Sequence, residues 1–282
     1  MTWADATKFA FQISLAVLVF GSGLGARFSD VTSLLRQPGL LARSLLAIFV
    51  LAPLLAVLLV RALNLGAEVS IALVALAISP LPPLLPKRGG KAGGDTEYGL
   101  GLVIMLAVLA VPVIGVAVAV LEIVFGRQYA AEPWAITRLV GLSIVAPLVA
   151  GMTIAKAQPA LAQRLIGPIE RAQRLLLPIA MAVLVVSAVP QIRPLIGTLT
   201  LLAFGVFVLG GFAIGHLLGG PDPHRAVVLA FATSCRHPAT ALVLASANFP
   251  GAQERGAVAL YGLVTAVAGT AYTVWSRRRS PA

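Results

Sequence analysis

Apolar runs long enough to cross a bilayer follow one another along this chain with little between them, and that pattern decides what it can fold into. A bilayer core takes about 20 residues of helix. Nine stretches reach or approach that length: Phe9–Phe28, Leu40–Leu63, Ala67 to about Gly94, Tyr98–Phe125, Trp134–Ala155, Leu175 to about Val189, Pro194–Leu218, His224–Asn248 and Ala252–Trp275. Only 11% of the 282 residues are charged, against about 25% in a soluble domain. No separate water-facing domain fits between the runs. The expectation is an all-α membrane protein of about nine transmembrane helices, with residues 1–282 forming one transmembrane domain. The opening MTWADATKFAFQIS runs into the first apolar stretch without a small-residue cleavage site, so that stretch reads as a span and not a leader.

The net charge of +11 does not point to nucleic acid, because the basic residues are scattered singly between apolar runs and not clustered with aromatic residues. They report sidedness instead. Lys8, Arg61, Arg127, Arg138, Arg193 and Arg255 fall on one side of the nine spans. Apart from Arg236, every other lysine and arginine falls on the opposite side. The positive-inside rule then puts the N-terminus outside and the terminal SRRRSPA in the cytoplasm. Short loops without N-x-S/T sequons fit a bacterial inner membrane. A single cysteine, Cys235, excludes an internal disulfide and a multi-thiolate metal site, and no cofactor is expected.

Two spans are interrupted. The third runs AEVSIALVALAIS into PLPPLLPKRGGKAGG, where Pro80, Pro82, Pro83 and Pro86 remove backbone donors. The eighth runs HRAVVLAFATSCRHPATALVLA, with Pro238 near its middle. An interrupted helix at membrane depth is tolerated only where protein or a water-filled cavity surrounds the freed backbone, so each interruption marks a candidate site. The two segments also align without gaps at an offset of 155: Leu63 falls on Leu218, Ala75 on Ala230, Ala77 on Ala232, Ser79 on Ser234 and Pro83 on Pro238. Five crossings separate equivalent points, so the halves, about 9–125 and 134–276, run in opposite orientation. An inverted repeat of this kind is the secondary-transporter arrangement, with binding where the two broken helices meet.

Three stretches, GLGARFSDVTSLLRQP, NLGAEVSIALVALAISP and ATSCRHPATALVLA, resemble the bile acid sodium symporter family over about Phe9 to Trp275. The resemblance implies a panel domain and a core domain with two unwound helices crossing in the core. It also implies differences. Members that carry sodium have a glycine pair and a Ser-Asn pair just past the first break, where this chain has Leu81, Pro82, Leu85 and Pro86. At the second break they have a Glu and, four residues later, Gln-Asn. This chain has Ala232, Arg236 and His237 there, so no side-chain sodium ligand carries over.

The candidate substrate-binding residues are Ser79, Pro82, Pro83, Ser234, Arg236, His237 and Thr240. An arginine deep in a span faces the bundle interior or a cavity. There it either ties carbonyls together or binds a substrate carboxylate or sulfonate, helped by the half-helix that starts at Pro238. His237 is the candidate for ion coupling, since an imidazole titrates near neutral pH; its alternative is a hydrogen-bonded histidine beside a cavity. Ser234 and Thr240 offer hydroxyls to a substrate or to their own helix. Lys87, Arg88 and Lys91 read as a solvated helix end, Gly21, Gly23 and Gly25 as a close-packing surface, and Tyr261 as a packing aromatic. The ten acids all lie in loops or at span ends, and HExxH, GxSxG and Walker-type loops are absent, which argues against an enzyme. The function expected is a secondary active or facilitative transporter of a small organic anion, working by alternating access without sodium. The alternative is a receptor or sensor of the same fold that binds without translocating.

Overall fold

Prolines and glycines, not charged loops, set where the helices of this chain begin, end and touch. The computed structural model describes residues 13, 16–25, 34–82, 84–106, 109, 113, 138, 141–196, 199–238, 240–242, 245 and 253–279. Most of the expected fourth span beyond Leu106, the start of the fifth at Trp134, the end of the eighth and Pro83 lie outside these residues.

Every regular element among the described residues is helical. They are α1 (Ala16–Gly25), α2 (Pro38–Leu63), α3 (Ala67–Ile78), α4 (Leu85–Lys91), α5 (Thr96–Leu106), α6 (Ala146–Ala157), α7 (Pro159–Ile192), α8 (Leu199–Leu218), α9 (Pro223–Ser234) and α10 (Gln253–Arg279). Three described segments are long and apolar enough to cross a membrane: α2, α8 and Gly256–Arg279 of α10. They correspond to the second, seventh and ninth apolar runs. Their outward faces carry exposed Leu58, Leu209, Leu217 and Val267, as a lipid-facing surface requires.

The region before the sixth run differs from expectation. α7 is one helix of 34 residues, about 51 Å long at 1.5 Å per residue. The stretch carrying Arg164, Glu170 and Arg171 is therefore its first turns and not a loop. Pro159 sits at the helix start, where a missing amide is harmless.

α2 contains a π-helical turn, Leu46–Leu51, in which the Ala52 amide reaches back to the Ala47 carbonyl. The cause is Pro53. In that register the Ile48 carbonyl faces residue 53, which has no N–H to give, so a buried carbonyl is left free inside the helix. A second π-helical turn, Gly141–Val145, likewise ends just before an Ala-Pro pair, Ala146–Pro147.

α9 lies against the backbone of α8 along a stripe of small residues. A Cβ added at Gly211 would come 2.8 Å from Ser234 Cα, and one at Gly215 would strike the Leu229 carbonyl. In the first span Gly23 packs this way, facing Gly151 of α6, whereas a Cβ at Gly25 meets nothing. The turn after α4 is tied to both α9 and α10. Asp95 N–H donates to the His224 carbonyl (3.2 Å), Ser276 Oγ to the Ala92 carbonyl (3.0 Å) and Arg277 Nε to the Lys91 carbonyl (2.6 Å).

Replacing Gly215 with valine should lower the thermal unfolding midpoint by several degrees, since over-packing costs about 1–3 kcal/mol. Gly262→Ala, in open space on α10, is the matched control. Equal midpoints for the two variants in detergent would contradict the close α8–α9 packing.

Candidate functional site

α3 stops at Ile78 because Pro80 has no amide for the Leu76 carbonyl and forces Ser79 into extended backbone, with ψ at 151°. Ser79 repairs the loss: its N–H (3.1 Å) and its hydroxyl (2.8 Å) both donate to Leu76 O. The chain stays non-helical through Pro82, and α4 follows from Leu85.

α9 stops at Ser234 for the matching reason. Pro238 pushes the residue before it away from helical geometry, and Cys235 to His237 are non-helical, Cys235 with φ −91° and ψ 124°. α3 and α9 are each 12 residues long. Each is preceded by a left-handed residue, Asn64 (φ 47°) and Gly220 (φ 93°). These boundaries recur at an offset of 156, one more than the sequence alignment gives, so the second turn holds one extra residue.

The two interruptions touch. His237 N–H donates to the Pro80 carbonyl at 3.1 Å, so one non-helical stretch supplies the donor and the other the acceptor. Two further backbone groups at the second interruption are held by Tyr261 of α10. Its hydroxyl donates to the Ser234 carbonyl and accepts from the Arg236 amide, both at 2.7 Å. Phe204 and Phe207 of α8 pack on the Tyr261 ring, with centroids at 6.1 and 6.3 Å. Sequence reasoning gave this tyrosine only a packing role, because nothing in its local pattern marks a hydroxyl aimed at a helix end more than 20 residues away.

Arg236 is 2% exposed. Its Nη2 donates to the Ile48 carbonyl at 2.8 Å, the group that Pro53 frees in α2. Its Nε and Nη1 are buried with no partner. The arginine thus ties down one carbonyl, from an intact span and not from a broken one, and most of its donors remain unused. Arg88 of α4 turns toward the same place, with Nη1 3.8 Å from Cys235 Sγ, which corrects its reading as part of a solvated end. Among the described residues no ion pair is resolved for Arg88 or Arg236; Arg225 pairs with Asp222 at 3.2 Å.

His237 is 1% exposed. Its Nδ1 accepts from the Thr240 amide at 3.3 Å and contacts the Thr240 hydroxyl at the same distance. The imidazole therefore caps the half-helix that starts at Pro238, whose first closing bond is Ala241 N–H to His237 O. With Nδ1 accepting, the ring proton is on Nε2, and that atom is buried without a partner. Ser234 Oγ donates to the Val208 carbonyl at 2.8 Å, fixing the end of α9 to α8. The structure thus brings Ser79, Pro82, Ser234, Arg236, His237 and Thr240 into the buried interior. The hydroxyls of Ser79 and Ser234 are already bonded to backbone, and Pro83 lies outside the described residues.

An open cleft of 770 Å³ lies apart from this centre, lined by Gly21 and Ser22 of α1, Lys87 and Lys91 of α4, Glu97 of α5 and Glu170 of α7, among others. The three glycines of the first span therefore have different roles: Gly21 and Gly25 face the cleft while Gly23 packs. Among the described residues no group of three or more His, Cys, Asp and Glu is placed to hold a metal ion.

The model of the Sodium Bile acid symporter family matches residues 12–193. The match includes the first interruption and ends before the second, so Arg236 and His237 lie outside it. No curated protein matches the chain.

Tyr261→Phe should leave the Ser234 carbonyl and the Arg236 amide unpaired, at about 1–3 kcal/mol for each buried group. Two outcomes are expected together: a thermal midpoint lowered by several degrees and faster maleimide labelling of Cys235. An unchanged midpoint with unchanged labelling would show that the hydroxyl does not hold the interruption.

Proposed function

The chain belongs to the sodium bile acid symporter family, an integral membrane transporter family, and from that premise we propose that it moves a small organic anion by alternating access, independently of sodium. The observation that carries this reading is Arg236: a guanidinium enclosed at the meeting point of the two interruptions, with Nε and Nη1 unused and no carboxylate among the described residues paired to it. An arginine stays charged throughout any physiological cycle, so the positive charge that bound sodium would supply is permanently present.

In this reading the two interrupted segments are equivalent parts of an inverted repeat within a nine-span bundle, and they cross in a core domain that moves against a panel domain. The equal lengths of α3 and α9, the left-handed residue before each, and the His237–Pro80 hydrogen bond support that arrangement. The open cleft between α1, α4, α5 and α7 is the approach to the site from one side of the membrane. The substrate's charged end reaches Arg236 when the interruptions part. Ser79, Pro82, Ser234 and Thr240 shape the same place. The membrane is a bacterial inner membrane, with the C-terminus of α10 in the cytoplasm.

His237 remains the candidate for proton linkage, by a specific route. A proton on Nδ1 displaces the Thr240 amide, so charging the imidazole uncaps the half-helix that follows. Replacing His237 with glutamine should flatten the pH dependence of uptake while leaving binding within about threefold. Retention of the full pH profile in that variant would remove His237 from the cycle.

A thermal-shift screen of small carboxylates and sulfonates identifies a ligand, and counterflow of that ligand in reconstituted vesicles separates transport from binding alone. Arg236→Gln should weaken ligand binding at least tenfold, and Lys91→Gln at the cleft wall by about threefold or less. Equal effects of the two substitutions would move the anion site out of the crossing and into the cleft.

A further inference from the structure

The centre formed by the two interruptions poses a charge problem that an organic substrate solves for only half of a transport cycle. Arg236 is enclosed at 2% exposure and spends one donor on Ile48 O, while Nε and Nη1 have no partner. Arg88 approaches Cys235 Sγ, on the residue next to Arg236, and brings a second guanidinium to the same stretch. No described carboxylate is paired with either.

Burying an unpaired charge away from water carries a penalty of several kcal/mol after relaxation. A carrier that has released its substrate must still pass through an enclosed state in order to return. With an anion on Arg236 the buried charge is paired and an unused N–H has an acceptor; without one the state is a high barrier. The enclosed centre lies apart from the 770 Å³ cleft, which does not include Arg236 among its lining residues. A small ion can meet those donors in the closed arrangement with less displacement of the surrounding side chains than a bulky substrate.

Resting on the transporter reading above, we propose that the crossing of the two interruptions is a binding site for a small monovalent inorganic anion of the chloride class, held by the unused N–H groups of Arg236 within the field of Arg88, and that the protein is an obligate anion exchanger. The inorganic anion occupies the arginine on the return half of the cycle, and the organic anion occupies it on the forward half. The two compete for one site, and exchange of one monovalent anion for another moves no net charge.

The test uses radiolabelled chloride as the probe, with the full-length protein in vesicles. The lumen holds either unlabelled chloride or dextran sulfate made iso-osmotic with sucrose, and potassium with valinomycin clamps the potential. Labelled chloride should enter at least tenfold faster with chloride inside. Arg236→Gln should abolish that stimulation, and Arg164→Gln, exposed on α7, should retain it. The comparison of internal anions in the wild-type protein stands even if Arg236→Gln fails to fold. Equal entry under both loadings would overturn obligate exchange. Absence of chloride movement alongside counterflow of an organic ligand would overturn the small-anion site while leaving the transporter reading intact. Absence of any anion movement would overturn both.

Discussion

A helix that stops inside a protein leaves amides and carbonyls that water cannot reach, and each needs a partner. The organisation of this chain follows from that requirement at two places. Proline ends α3 and α9. Ser79 then serves the Leu76 carbonyl, Tyr261 serves both sides of the second interruption, His237 caps the half-helix beyond it, and one backbone hydrogen bond joins the two stretches. Even the π-helical turn in α2 fits this logic, because Pro53 frees the Ile48 carbonyl and Arg236 takes it. The packing of α9 on α8 through Gly211 and Gly215 holds these partners in register.

Once the backbone is satisfied, the side-chain donors left over define the chemistry. Three atoms stand out as buried and unpartnered: Arg236 Nε, Arg236 Nη1 and His237 Nε2. All three donate in the tautomer and charge state the hydrogen bonds require, and none is paired with a carboxylate among the described residues. A centre whose unused side-chain groups are donors suits an anion and opposes a cation, which is the physical basis for reading this member of the family as sodium-independent.

Much of this was legible in the sequence, and the rest was hidden for definite reasons. Apolar run length located α2, α8 and α10, because spanning a bilayer is a one-dimensional constraint. Proline positions located both interruptions, because a missing amide acts on its own neighbours. The single arginine in an apolar run singled out Arg236. What the sequence did not reveal depends on distance across the fold. Nothing local pairs Tyr261 with Ser234, or Pro53 with Arg236. Arg88 turns inward because α4 packs on α9, whereas its neighbours Lys87 and Lys91 line the cleft. The long α7 was hidden because its first turns are amphipathic and mimic a charged loop.

The central claim is that a fixed guanidinium takes the place of a bound cation at the crossing. It is tested most directly by measuring uptake of an identified organic anion into vesicles containing the purified protein, with external sodium replaced by choline at constant pH and ionic strength. Uptake unchanged within about twofold is the predicted result. Loss of most substrate accumulation on removal of sodium would contradict the account, and would mean that backbone carbonyls at the interruptions bind sodium despite Arg236.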